Sequence, residues 1–195
     1  CTTNAIVPTL KVLNDEFDIQ SGHIESVHSY TNDQNLIDNF HKKVRRGRSA
    51  ALNMVITETG AGKAVGQVLP ELKGKLTANA VRVPTPNVSL AIINLRFAKD
   101  ITLEELNDFL RQKAFHSDLK EQIGFTNSPE VVSTDFVGDR HAGIIDSAAT
   151  IVNGNKCVLY VWYDNEFGYT AQLLGLAKEM VGLTYQRYPN FSEST

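Results

Sequence analysis

Residues 144–163, IIDSAATIVNGNKCVLYVWY, contain the clearest indication of the fold. Two apolar runs, 144–152 and 157–163, flank the dipeptide Asn153-Gly154. Asn-Gly is a favoured two-residue hairpin turn, because both residues tolerate positive φ angles. The stretch therefore predicts an antiparallel hairpin with long strands.

Further elements are predicted on the N-terminal side of this hairpin and directly after it. Apolar alternation and runs predict strands at 22–28, 88–97 and 131–136, whereas helical periodicity appears from Thr2, at 63–69, after Thr102 and at 169–181. Strands and hairpins outnumber crossover units. We therefore predict an α+β fold, with a mixed or antiparallel sheet covered on one face by helices.

Length and composition describe an ordinary globular chain. The 195 residues fit one domain with a possible appendage, and 42% hydrophobic residues exclude a disordered chain. No apolar run approaches the ~20 residues that span a bilayer. A net charge of -3 gives no overall attraction to nucleic acid, and two cysteines favour a reducing compartment. We predict a cytoplasmic protein with neither nucleic-acid nor membrane partners.

The first residue of the chain, Cys1, is a candidate nucleophile. It precedes good helix-capping residues, so its thiol is expected at a helix N-terminus, where the helix dipole favours a thiolate. His28 ends a predicted strand and could stabilise that thiolate as an ion pair and act as general base. Alternatively, Cys1 could use its own α-amine as base, or it could begin the second half of a longer protein.

Two segments have the character of anion sites. Five of the seven residues 42–48 are Lys or Arg, which fits a solvated basic loop, a nucleic-acid patch or an anion site. Thr59-Gly60 precedes a short predicted helix, whose N-terminus would present free N–H groups. The surrounding sequence matches neither the P-loop nor the Gly-x-Gly-x-x-Gly spacing. No Cys and His set has metal-ligand spacing, so no metal site is predicted.

Five motifs occur in the same order as in one known enzyme family. The chain closely resembles the catalytic domain of phosphorylating glyceraldehyde-3-phosphate dehydrogenases over residues 1–183. The motifs are CTTN at 1–4, VHSYTNDQ at 27–34, RRGR at 45–48, RVPTPN at 82–87 and WYDNEFGY at 162–169.

The resemblance implies a reaction and a set of roles. Cys1 would add to an aldehyde to give a hemithioacetal, and His28 would take the hydroxyl proton as a hydride leaves for NAD. Inorganic phosphate would then cleave the resulting thioester to an acyl phosphate. By the same resemblance, Thr31 and Arg82 hold the substrate phosphate, and Thr2, Thr59 and Gly60 hold the incoming phosphate. Arg46 would lie between the two pockets, Asp33 would orient an arginine, and Asn165 would hold the nicotinamide carboxamide.

The resemblance also implies a domain organisation. Residues 1–168 would form the catalytic domain, 169–183 a helix that packs on an NAD-binding domain, and 184–195 a tail. The chain has no strand–Gly-x-Gly-x-x-Gly–helix unit, so the nucleotide-binding domain is expected outside it and the chain alone is expected to be inactive. NADP stays open as cofactor, because Asn39-Phe40 replaces the Leu-Pro of common NAD-using members. The parent is expected to be a homotetramer.

Three other functions remain open at this point. Erythrose 4-phosphate could replace the triose phosphate as substrate. An N-terminal cysteine amidohydrolase would use the α-amine of Cys1. A non-catalytic module would bind nucleic acid or an assembly partner through its basic loop.

Overall fold

An eight-stranded mixed sheet runs through residues 1–183, the part of the chain that the computed structural model describes. The predicted tail, 184–195, lies outside the described residues. The strands are β1 (Ile19–Ser29), β2 (Val55–Thr57), β3 (Leu76–Val83), β4 (Ser89–Phe97), β5 (Ile123–Thr126), β6 (Gly143–Asp146), β7 (Ile151–Asn153) and β8 (Lys156–Tyr163).

The strand order is β2-β3-β1-β4-β8-β6-β5, and β7 pairs with the first half of β8. The pairs β1/β3 and β5/β6 are parallel, and the other pairs are antiparallel. The central strands β1, β4 and β8 lie side by side. The C-terminal end of β1 therefore meets the N-terminal end of β4 and the C-terminal end of β8.

Helices cover one face of this sheet. The four helices are α1 (Thr2–Phe17), α2 (Ala61–Val68), α3 (Leu103–His116) and α4 (Phe167–Met180). Alternate residues of β4, Ala91, Ile93, Leu95 and Phe97, are buried against the apolar sides of α1, α2 and α3. Strand side chains alternate between faces, and the β4 residues on the other face, Leu90, Ile92 and Asn94, are only half-buried. The predicted α+β class and the one-sided helix layer are confirmed.

The last helix, α4, lies largely outside the core. Gly168 is its one buried residue, whereas Leu173, Leu174 and Leu176 are each 55% exposed. A Cβ atom at Gly168 would lie 2.7 Å from the carbonyl oxygen of His141. The amide of Gln172 donates to two backbone carbonyls, 2.9 and 2.8 Å away, on the neighbouring loops. These contacts attach the first half of α4, and its packing on a further domain stays a prediction.

The predicted strand at 131–136 is wrong. A 3₁₀ helix, Ser133–Phe136, occupies most of this stretch. The carboxylate of Asp135 accepts the backbone N–H of Val132 at 2.7 Å, a local bond that competes with strand pairing. The apolar residue that suggested a strand, Phe136, stacks on Trp162 with ring centroids 5.5 Å apart.

The predicted hairpin forms, but its first strand is interrupted. β6 ends at Asp146 and β7 begins at Ile151. Between them the hydroxyl of Thr150 donates to the carbonyl oxygen of Asp146 at 3.0 Å, and the N–H of Ala149 donates to the Asp146 carboxylate at 3.2 Å. Local polar bonds therefore replace the ladder over residues 147–150.

Within residues 1–183, none of the helices combines the length and apolar character needed to cross a bilayer. The same residues contain no group of three or more His, Cys, Asp or Glu side chains placed to hold a metal ion.

Candidate active site

The thiol of Cys1 faces the imidazole of His28. Cys1 is the N-cap of α1, and His28 lies one residue before the end of β1. The two side chains are 3.2 Å apart, from Sγ to Nε2. Nδ1 of the same ring lies 2.7 Å from the carbonyl oxygen of Ser29. Because a carbonyl oxygen accepts and cannot donate, Nδ1 carries the hydrogen, and the lone pair of Nε2 faces the thiol.

Burial keeps this imidazole neutral. His28 is 5% exposed. Its burial lowers the pKa to about 4, and the nearby charges of Arg82, the N-terminal ammonium and Arg46 act in the same direction, against the hydrogen bond to Ser29. Near pH 7 the ring is therefore a proton acceptor. Burial also lowers the pKa of the α-amine of Cys1.

A buried cluster of hydroxyl groups supports the first turn of α1. The phenol of Tyr163 is hydrogen-bonded to Thr2 at 2.9 Å and to Ser26 at 2.8 Å. Burial raises the pKa of this phenol, so it stays protonated and can donate. The cluster joins α1 to β1 and β8 directly beneath Cys1. The hydroxyl of Thr2, a predicted phosphate ligand, is thus engaged towards the interior.

A cleft of about 410 Å³ opens in front of Cys1. It brings together most of the site residues that the sequence suggested. These are Cys1, Thr2, His28, Arg46, Thr59, Gly60 and Arg82. Thr31, Asp33 and Asn165 do not line the cleft. Thr31 contacts Arg82, Asp33 contacts Arg46, and Asn165 contacts Ser29, the neighbour of His28.

Arg82 lies beside the Cys1–His28 pair because of the sheet register. In the parallel β1/β3 pair, His28 is aligned with Arg82. Nη1 of Arg82 donates to the hydroxyl of Thr31 at 3.0 Å and to the carbonyl oxygen of Ser29 at 3.4 Å. Its Nε is buried and has no hydrogen-bond partner among the described residues. Because guanidinium groups bind anions through paired N–H donors, Arg82 is a candidate anion ligand of the cleft.

Arg46 reaches the cleft from the 3₁₀ helix Val44–Gly47. Its Nη1 donates to the carboxylate of Asp33, and its Nε donates to the hydroxyl of Thr57 at 3.0 Å. This bond to the Asp33 carboxylate restricts the conformations of the Arg46 side chain. The Arg46 guanidinium in turn lowers the pKa of Asp33. Asp33 thus orients a cleft arginine without lining the cleft itself.

The first turn of α2 forms another wall of the cleft. Gly60 is the N-cap of this helix, and the hydroxyl of Thr59 accepts the N–H of Ala61 at 3.3 Å. The other N–H groups of a first helical turn have no acceptor within the helix, so they can bind an anion. Thr59, Gly60 and Ala61 line the same cleft as Cys1.

The amide of Asn165 is fixed by two serines. Its Oδ1 accepts the hydroxyls of Ser29 at 2.8 Å and Ser89 at 3.0 Å. Because both serines donate to Oδ1, the orientation of the amide is set and its NH₂ group points away from them. Val88, just before Ser89, has a φ of 65°, a left-handed conformation that β-branched residues rarely adopt.

The sequence missed several residues that shape the site. Tyr163 and Ser26 were not singled out, because their pairing depends on the arrangement of three strands. Lys43 and Glu58 also line the cleft. Lys43 belongs to the basic run at 42–48, but the sequence could not show which of these cations points inward.

Comparisons with known proteins identify one family model and several relatives that match this chain. Residues 1–165 match the family described as "Glyceraldehyde 3-phosphate dehydrogenase, C-terminal domain". The chain is 65% identical, over 97% of its length, to a "Glyceraldehyde-3-phosphate dehydrogenase-like protein" of Pseudomonas aeruginosa. It is 48% identical, over 91% of its length, to the glyceraldehyde-3-phosphate dehydrogenase of Priestia megaterium and to glyceraldehyde-3-phosphate dehydrogenase 1 of Bacillus subtilis. The matched parts cover 41%, 53% and 52% of these three proteins, so the chain spans about half the length of the curated relatives it matches.

Proposed function

Because the chain belongs to the glyceraldehyde 3-phosphate dehydrogenase C-terminal domain family, we propose that it is the catalytic domain of a phosphorylating, NAD(P)-dependent aldehyde dehydrogenase that oxidises glyceraldehyde 3-phosphate. The observation that carries the proposal is the contact of 3.2 Å between the Cys1 thiol and a neutral His28, next to two arginines in one cleft.

Cys1 is the nucleophile of the proposed reaction. Its Sγ forms a bond to the aldehyde carbon, and the thiol proton passes to Nε2 of His28. The same proton then goes to the former carbonyl oxygen, which completes a hemithioacetal. A neutral imidazole with its lone pair towards Sγ is ready for this transfer at pH 7.

His28 acts again in the oxidation. Nε2 takes the hydroxyl proton of the hemithioacetal as the hydride departs, and the C–O bond becomes the carbonyl of a thioester on Cys1. NAD, when bound, supplies the hydride acceptor. Inorganic phosphate then attacks the thioester carbon, the C–S bond breaks, and the proton held by His28 returns to the sulfur. The product is an acyl phosphate.

Two anion-binding regions support the phosphate chemistry. Arg82 with Thr31 fits the phosphate of the aldehyde substrate. The start of α2, with Thr59 and Gly60, fits the incoming inorganic phosphate, and Arg46 reaches the same cleft. Guanidinium groups suit this task because their planar donors match phosphate oxygens in pairs.

Asn165 fits the role of holding the nicotinamide carboxamide. Its Oδ1 is committed to Ser29 and Ser89, so its NH₂ group is the part available to a carboxamide oxygen. Ser29 is the neighbour of His28, which places this amide close to the reacting pair. Most of the cofactor's contacts would come from the nucleotide-binding part of the parent protein, and the choice between NAD and NADP would be made there and in the loop at Asn39-Phe40.

We expect the parent to assemble as a homotetramer in the cytoplasm. Several apolar side chains on the loop 36–54 are well exposed in the single chain, among them Leu36, Ile37, Phe40, Val44 and Leu52. Burial of these side chains against other subunits would remove them from water. Light scattering on the full-length parent would measure the subunit number.

A second candidate is an N-terminal cysteine amidohydrolase. The lowered pKa of the α-amine of Cys1 favours it, since a neutral amine could act as base. Acetylation of that amine distinguishes the two functions. It would abolish amidohydrolase activity, whereas a thiol served by His28 would stay reactive.

The decisive test replaces Cys1 by Ser in the full-length parent. We expect loss of glyceraldehyde 3-phosphate oxidation, with Cys157→Ser as the matched control that keeps it. Wild-type turnover in Cys1→Ser would overturn the proposal. The ratio of kcat/KM for glyceraldehyde 3-phosphate and erythrose 4-phosphate decides between the two aldehydes, and we expect the triose to be preferred. The isolated chain is expected to show no turnover.

A further inference from the structure

Lys43 is a cation of the cleft that the roles proposed above do not use. It lines the cleft together with Arg46 and Arg82, and its side chain is 50% exposed. Its Nζ lies 3.8 Å from the carboxylate of Glu58, which also lines the cleft, and the Glu58 side chain is 92% exposed.

The backbone of Lys43 is fixed even though its ammonium is not. Its N–H donates to Nδ1 of His41 at 2.8 Å, and its carbonyl oxygen accepts the N–H of Arg46 at 2.8 Å. Nδ1 of His41 also lies 3.0 Å from the carbonyl oxygen of Lys43, and its Nε2 faces the carboxylate of Asp33 at 3.4 Å. Asp33 therefore contacts both the Arg46 side chain and the histidine that holds the Lys43 backbone.

The contact between Lys43 and Glu58 is easily exchanged. Both groups are exposed, and at 3.8 Å they form an ion pair without a short hydrogen bond. Exposed pairs of this kind contribute little to stability. A phosphate dianion carries more charge than a carboxylate, so it would compete effectively for the ammonium. Lys43, Thr59 and Gly60 line the same cleft, so an anion at the start of α2 would share the cleft with this ammonium.

We propose that Lys43 is a third phosphate-binding cation of this cleft, held near Glu58 until an anion occupies the start of α2. The inference rests on the proposed function and deepens it, because it assigns Lys43 to the region for inorganic phosphate. Glu58 acts as the counter-ion of the empty cleft. Lys42 is exposed and does not line the cleft, which makes it a matched control.

The first test measures the charge that the Cys1 thiol experiences. Iodoacetate is anionic and iodoacetamide is neutral, so the ratio of their alkylation rates at Cys1 reports the local potential. In the 195-residue chain at low salt, we expect Lys43→Met to lower the ratio severalfold, because a cation of the cleft is removed. Glu58→Gln should raise the ratio, and Lys42→Met should leave it unchanged. An unchanged ratio in Lys43→Met overturns the proposal.

The second test uses inorganic phosphate as the probe. Phosphate bound in the cleft should protect Cys1 from iodoacetamide, and the phosphate concentration that halves the rate gives an apparent Kd. We expect Lys43→Met to raise this Kd about fivefold and Lys43→Arg to restore it. Circular dichroism confirms that each variant is folded. A Kd that Lys43→Met does not change contradicts the proposal.

Arg82→Met separates this inference from the proposed function. If Arg82→Met weakens phosphate protection and Lys43→Met does not, Lys43 is not a phosphate ligand while the proposed function stands. If phosphate gives no protection even in the wild-type chain at millimolar concentrations, both the assignment of Lys43 and the proposed phosphate sites are wrong.

Discussion

The lone pair of Nε2 of His28 faces Sγ of Cys1 across 3.2 Å, while Nδ1 of the same ring is held by the carbonyl oxygen of Ser29. At this distance the thiol proton can pass directly to Nε2. Burial and the neighbouring positive charges lower the pKa of His28 to about 4, so the ring is a proton acceptor near pH 7. The ion pair expected from the sequence stays a prediction.

Replacement of His28 by Asn should slow alkylation of Cys1 by iodoacetamide at pH 7 about tenfold or more, because the proton acceptor is lost. The wild-type rate should stay appreciable down to the region of pH 4, where the imidazole becomes protonated and can no longer accept. The variant should react appreciably only at higher pH, as an ordinary thiol does. His116→Asn, at an exposed histidine, is the control. Coincident profiles of wild type and His28→Asn would contradict a working pair.

The two cysteines should differ sharply in reactivity. Burial raises the pKa of the Cys157 thiol to about 12, and the side chain lies inside the core. At pH 7.5 we expect one alkyl group per folded chain, on Cys1, and two per chain in denaturant. Intact mass and peptide mapping measure both values. Modification of Cys157 in the folded chain at a rate close to that of Cys1 would be inconsistent with the structure.

Stability should fall with acidification through His28. Its folded pKa is about 4 and its ordinary value is 6.5, so the unfolded chain binds more protons between these values. The loss begins as pH falls below 6.5 and reaches up to about 3 kcal/mol near pH 4, at about 1.4 kcal/mol per pKa unit. Urea unfolding at several pH values measures it, and His28→Asn should flatten this part of the profile.

His141 provides a control of opposite sign. Its hydrogen bond to Asp139 raises its pKa, so its contribution is present below pH 6.5 and is lost as pH rises through the raised value. His141→Gln should therefore remove a fall in stability as pH rises above 6.5 and leave the acid loss below pH 6.5 unchanged. Disappearance of the acid loss in His141→Gln, with an unchanged profile in His28→Asn, would contradict this assignment.

Gly143→Ala should destabilise the fold. A Cβ atom there would lie 2.6 Å from the carbonyl oxygen of Ala5 and 2.6 Å from Cγ1 of Val161, so α1 and the sheet would have to separate. We expect a loss of about 2 kcal/mol or more in the free energy of unfolding. Gly175→Ala is the matched control, since nothing lies within 4 Å of its Cβ position. In the interior of α4 it should stabilise by about 0.5–1 kcal/mol. Equal effects of the two substitutions would contradict this packing.

The sequence revealed those strands whose inward residues are large and apolar. β4 and β8 belong to this class. β3 was not predicted, because its inward residues, Ala78 and Ala80, are small and give only a weak apolar alternation with Thr77 and Asn79. Its pairing with β1 is parallel and joins residues about fifty positions apart. The side-chain periodicity of a single strand does not show which distant strand pairs with it.

For the site, family resemblance predicted more than local pattern did. The spacing of Cys1 and His28 alone was weak support for a pair, and the five ordered motifs made it specific. Lys43 and Glu58 could not be found in this way, since the path of the loop 30–48 depends on bonds such as those of His41. The hydroxyl of Thr2 shows the converse case, because a predicted ligand side chain is engaged with Tyr163.

The hydroxyl cluster of Thr2, Ser26 and Tyr163 couples the reactivity of the Cys1 thiol to the integrity of the fold. Cys1 precedes a helical turn whose Thr2 is hydrogen-bonded to the phenol of Tyr163 on β8, and the same phenol is hydrogen-bonded to Ser26 on β1. Disturbance of those strands by heat, cosolvent or a distant substitution displaces the sulfur together with them. Loss of thiol reactivity and loss of the native interior should then be a single event, with no long-lived folded but unreactive form between them.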